Sequence, residues 1–157
     1  MDRFDDCLAK GRLKKTQPDL SLVAAEIRLA LKELERARSR YANGNWGDVT
    51  TQSYFALYHA ARAGLLSRGY VDTNFYGLCA GVERLYVGPG HLPASVLNDL
   101  REAKSRKDLV YHGSNSSATE SRQAMEWAQD FARRMLSALS LDGFDPSEID
   151  RPSPAGG

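Results

Sequence analysis

The sequence predicts an all-α protein, an antiparallel bundle of about five or six helices. Three observations carry that prediction. Apolar residues recur at steps of three and four along most of the 157-residue chain. Strand signals are nearly absent, with no alternating run and no hairpin dipeptide between apolar segments. The breaks between periodic segments are short and rich in Gly, Asn, Pro and Ser.

The first helix is expected around Phe4 to Lys14. The second begins after Pro18-Asp19, a start signal. Its apolar stripe runs Leu20, Val23, Ile27, Ala30, Leu34, Ala37, Tyr41, and Asn43-Gly44-Asn45 closes it. The third is expected to open near Asp48 as N-cap and to run to Gly69. It is apolar almost all round, through Tyr54, Phe55, Ala56, Leu57, Tyr58, Ala60 and Ala61, as befits the middle of a bundle. Only Gln52, His59 and Arg62 line up on it as a narrow polar strip.

A fourth helix is expected from Asn74 to Val87, with Gly77 and Gly81 inside it, either for close packing or as weak points. The segment "GPGHLP" interrupts the chain, Pro93 suits a first helical turn, and the fifth helix follows to His112. The loop "GSNSS" leads to Ser117 and Glu120, which have capping-box spacing. They open a last helix whose core side is Ala124, Met125, Ala128, Phe131, Met135 and Leu139. Residues 1–141 thus read as one domain. Residues 142–157, "DGFDPSEIDRPSPAGG" from Asp142, read as a flexible tail.

Composition narrows the function classes. Hydrophobic residues make up 42%, and no apolar run approaches the ~18–20 residues of a membrane span. The N-terminal stretch "MDRFDDCLAKGRLKK" has no apolar core of a secretory signal. Cys7 and Cys79 lack both disulfide-framework and metal-ligand spacing, so both are expected reduced, in the cytoplasm. The net charge of +1 gives no global field for nucleic acid. A local patch remains, formed by Lys104, Arg106 and Lys107 with Arg101 one turn earlier.

Cofactor motifs are missing as well. "GPG" at Gly88 to Gly90 lacks the Lys-Ser/Thr of a phosphate loop. His59, His91 and His112 share no metal-ligand spacing, so neither metal nor other cofactor is expected. What remains is Arg106 and His112, with five residues between them. A histidine titrates near neutrality and moves protons. An arginine stays charged and presents a planar fork to phosphate. The pair suits metal-free cleavage of RNA, in which a deprotonated 2′-hydroxyl attacks the adjacent phosphorus and a fixed cation stabilises the phosphorane.

On a regular helix the two side chains lie about 120° apart in azimuth and roughly 9 Å apart along the axis. One copy is a poor site, and two copies across a symmetric dimer surround a phosphate better. The same residues also suit an ordinary helix end. Glu102 and Arg106 have ion-pair spacing. His112 precedes a C′ glycine, Gly113, and Asp108 stands one turn before it, placed to orient its ring. His59 and Arg62 either complete a polar cleft or bond within the bundle. Tyr54, Tyr58, Trp46 and Trp127 suit packing.

The central "SYFALYHAARAGLLSRGY", the later "SRKDLVYHGS" and the early "AKGRLKKTQPD" resemble the single-domain prokaryotic HEPN proteins over roughly residues 4–140. Their hallmark is an arginine, four to six residues, then a histidine, which Arg106 and His112 match. The resemblance implies a homodimer whose interface holds a metal-independent ribonuclease site. It also implies a toxin or defence role and a small nucleotidyltransferase-type antitoxin partner.

On this reading Arg106 and His112 are catalytic and Asp108 and Tyr111 support them. Arg101, Lys104 and Lys107 hold RNA, and the products carry 2′,3′-cyclic phosphate ends. The alternative it leaves is a non-catalytic module binding a nucleotide or that partner through Gln52, His59 and Arg62. Two positions depart from the family. Lys107 stands where active members often have Asn, Asp or His. Ser114 stands where some toxins carry a tyrosine that the antitoxin modifies with AMP, which speaks against that mode of silencing here.

Overall fold

Asp19 accepts hydrogen bonds from the amides of Ser21 and Leu22 and starts the longest early helix, as Pro18-Asp19 predicts. The computed structural model describes residues 2–150. Among them are six α-helices: α1 (Arg3–Ala9), α2 (Leu20–Ala42), α3 (Trp46–Ser67), α4 (Phe75–Val82), α5 (Ser95–Tyr111) and α6 (Ala118–Leu141). The stripe read on α2 is its buried face from Val23 to Ala37, while Leu20 at the start is exposed.

The link Asn43–Asn45 folds α3 back along α2. Glu26, early in α2, therefore meets His59, late in α3. α3 is the hub and packs on α2, α5 and α6, which explains its apolar circumference. Its N-cap is Asn45, three residues earlier than Asp48, and Asp48 sits in its first turn, where a carboxylate favours the helix dipole.

The first helix is shorter than its pattern suggests. It ends at Ala9, and Gly11 adopts φ +72°. Leu13–Lys15 (β1) then pairs antiparallel with Tyr70–Asp72 (β2), Leu13 opposite Asp72. Each strand is too short to show alternation. The ribbon is closed by Thr16 N–H on Gly69 O and Thr73 N–H on Arg12 O.

α4 runs on into a π-helical turn, Glu83–Val87, which carries the buried Tyr86. The Tyr86 hydroxyl donates to Gly64 O at 2.6 Å, and burial pushes its phenol up to about 12. Ser117 caps α6 by accepting from the Glu120 amide, and Ala124, Ala128, Phe131, Met135 and Leu139 form its core side, with Met125 half-buried.

Beyond α6 the chain stays against the bundle as far as it is described. Phe144 is buried, Asp142 pairs with Arg68 at 2.8 Å, and a 3₁₀ turn spans Pro146–Asp150. Arg28 donates to the carbonyls of Glu148 and Ile149 at 3.2 and 3.0 Å. The rest of the expected tail, 151–157, lies outside the described residues. Among the described residues no helix is long and apolar enough to cross a membrane.

Candidate functional site

α5 buries Val96, Leu97, Leu100 and Ala103, at steps of three and four, and leaves its last two turns open. Leu109 is 55% and Tyr111 82% exposed. The helix ends in a Schellman turn: Ser114 N–H reaches Leu109 O, Gly113 N–H reaches Val110 O, and Gly113 takes φ +95°. His112 is the C-cap residue of this turn. Its ring is exposed, makes no hydrogen bond within the described residues, and meets the Tyr111 ring edge-on at 5.3 Å.

Arg106 is placed differently. Its guanidinium lies 4.7 Å over the Trp127 ring of α6, and Nη1 donates to Glu120 O at 3.4 Å. Nε stands 3.7 Å from the Glu102 carboxylate, the helical pair the spacing suggests. Trp127 is thus a packing residue that also orients Arg106. No hydrogen bond or ring contact joins Arg106 to His112 within the chain.

The basic patch has its own arrangement. Lys104 and Lys107 close on Asp108 at 2.6 and 2.9 Å. Lys107 sits 5.0 Å over Tyr54 and 5.9 Å from Phe55, and Lys104 5.9 Å over Phe75. Burial raises the Tyr54 phenol well above its ordinary value, so it stays neutral beneath Lys107. Arg101 is exposed. Asp108 therefore serves the lysines, and only its backbone carbonyl reaches His112, through the His112 amide.

The Lys104 and Lys107 hydrogen bonds hold the Asp108 carboxyl below the usual carboxylate range. A carboxylate with a depressed folded pKa contributes stability above its unfolded pKa of about 3.9 and loses it as pH falls through the folded value. A carbon-detected NMR titration is expected to show Asp108 titrating below that reference. In the Lys104→Ala, Lys107→Ala double variant it returns to it. An unchanged midpoint in the double variant would refute the pairing.

The polar strip of α3 turns inward for the most part. His59 Nδ1 lies 2.7 Å from Glu26 Oε2, and Arg62 makes a two-point pair with Asp72 at 2.9 and 3.0 Å. Gln52 Oε1 is buried without a hydrogen-bond partner. Among the described residues no three His, Cys, Asp or Glu side chains gather as a metal site.

The sequence reading missed one group of residues. Thr50, Ser116 and Ser121 join their hydroxyls, with Thr50 to Ser116 at 2.7 Å, and the one Ser121 hydroxyl proton faces both Ser117 O at 2.7 Å and Trp46 O at 2.9 Å. This knot ties the loop after His112 to the start of α3. Sequence spacing hides it, because Thr50 and Ser121 are 71 residues apart.

No family model matches the chain, and no curated protein matches it.

Proposed function

We propose that the chain is a HEPN-type, metal-independent endoribonuclease acting as a toxin or defence component, its site completed by Arg106 and His112 of two copies in a homodimer. The observation that carries this reading is the end of α5: a histidine at an exposed helix cap, its ring nitrogens without a hydrogen-bond partner among the described residues, six residues beyond a largely covered arginine. Two further features support it. Leu109 and Tyr111 stand exposed on different sides of the helix end, so a second copy can meet apolar side chain on either side of the motif. Arg106, held by Trp127, is oriented before any phosphate arrives, and a guanidinium has five N–H donors, of which the contacts with Glu120 and Glu102 occupy only some.

In this mechanism His112 of one copy takes the proton of the ribose 2′-hydroxyl. The 2′ oxygen bonds to phosphorus, and Arg106 neutralises the phosphorane oxygens. The bond from phosphorus to the 5′ oxygen then breaks, and the protonated His112 of the second copy returns a proton to that oxygen. The products are a 2′,3′-cyclic phosphate and a 5′-hydroxyl. Arg101, Lys104 and Lys107 hold the RNA backbone, and a nucleotidyltransferase-type antitoxin is the partner that keeps the activity in check. A non-catalytic module using His59 and Arg62 fits less well, since Glu26 and Asp72 already occupy those side chains.

The test is cleavage of total RNA in excess EDTA with the ends of the products mapped. Cleavage is expected to persist without metal and to fall by about 10²-fold or more in Arg106→Ala and in His112→Ala. Equal cleavage by both variants would identify a contaminating nuclease and end the proposal.

A further inference from the structure

We infer that the cleft between the start of α3 and the loop after α5 is a nucleobase subsite. The inference rests on the nuclease reading for the origin of its ligand. The cleft has a volume of about 540 Å³, and Trp46 and Gly47 of α3, Val110 of α5 and the loop residues from Gly113 to Ser116 line it. That volume falls within the roughly 300–1,000 Å³ of small-molecule sites.

Three properties select the ligand. No charged side chain lines the cleft, so a phosphate gains nothing there. An indole, an amide and two hydroxyls do line it, which suits a flat, neutral ring with polar edges. Indole stacking tolerates any base, while an asparagine amide reads one edge. The Trp46 ring packs against Tyr41, with ring centres 5.2 Å apart and the planes tilted by 57°.

The walls are preformed. Thr50 of α3 bonds Ser116 of the loop at 2.7 Å, which ties α3 and the loop together. A Cβ on Gly47 would come within 3.3 Å of Val110, so α3 and α5 approach closely where both line the cleft. The position follows from the backbone. Gly113 is the residue after His112, so its Cα is about 3.8 Å from that of the histidine. A base next to the cleaved phosphate lies within reach of the cleft, with Trp46 as its stacking platform and Asn115 as its specificity-determining residue.

Nitrogen-15 NMR of the full chain, titrated with each of the four ribonucleosides, tests the inference without phosphate or catalysis. At least one nucleoside is expected to shift the amide signals of Gly47, Gly113 and Asn115. Asn115→Ala is expected to weaken that binding about tenfold. Ser114→Trp, at an exposed loop position, is expected to fill the cleft and remove the shifts. If no nucleoside moves those signals, or both variants bind as the parent does, the subsite is wrong. RNA cleavage without nucleoside binding sinks the subsite and leaves the nuclease. Nucleoside binding in the cleft without RNA cleavage supports the subsite and sinks the nuclease.

Discussion

Arg62→Ala is expected to destabilise the fold by about 3–5 kcal/mol, the cost of removing one partner of a buried ion pair. The Asp72 side chain is 2% exposed and depends on Arg62, which binds both of its oxygens at 2.9 and 3.0 Å. Without the guanidinium, only the Tyr58 hydroxyl at 3.4 Å remains, a long and weak bond. The loss includes packing, because the guanidinium also lies 4.7 Å over the Tyr58 ring. Urea denaturation measures it. Arg62→Lys is expected to recover only part, since an ammonium cannot make the two parallel bonds. The double variant Arg62→Ala, Asp72→Ala should lose less than the sum of the single variants, because no carboxylate is then left buried. Additive losses would mean that the pair contributes no coupling.

Gly77→Ala is expected to cost about 3 kcal/mol or more, at the top of the range for overpacking. A Cβ on Gly77 would stand 2.1 Å from the carbonyl oxygen of Arg12 and 2.8 Å from its carbon. That neighbour is backbone, held by the Thr73 amide, so it has no rotamer to change. Alanine's helix advantage of about 0.5–1 kcal/mol does not offset the clash. In a domain of this size the melting temperature should fall by roughly 6–12 °C. Gly81→Ala is the control. Its Cβ would meet Leu65 Cδ2 and Cγ at 2.9 Å, a side chain rather than backbone and at a longer distance, so its loss should be smaller. Equal melting temperatures for Gly77→Ala and the parent would refute the close approach.

These two positions show where sequence reading stops. Gly77 and Gly81 allow two readings in the sequence, close packing or weakness, and the contact with Arg12 decides for packing. Arg62 shows up in the sequence as part of a polar strip, but its partner Asp72 lies in a three-residue strand that no periodicity reveals. Its side chain therefore looks available in the sequence and is committed in the fold. His59 is the same case, with Glu26 supplied by the neighbouring helix. Asp108 looks like the natural partner of His112 at one helical turn, yet two lysines compete for it and win by proximity and charge.

The sequence by itself determined the helical class, the helix order, the caps at Asp19 and Ser117, the glycine stop at Gly113 and the apolar faces of α2 and α6. Those features depend on neighbours within a turn or two, where local geometry and burial act on the same residues. Only the tertiary structure decided the β1–β2 ribbon, the inward pairing of His59 and Arg62, the Trp127 platform under Arg106 and the cleft beside His112. Each joins groups far apart in the chain, and only the packed bundle brings them within bonding distance.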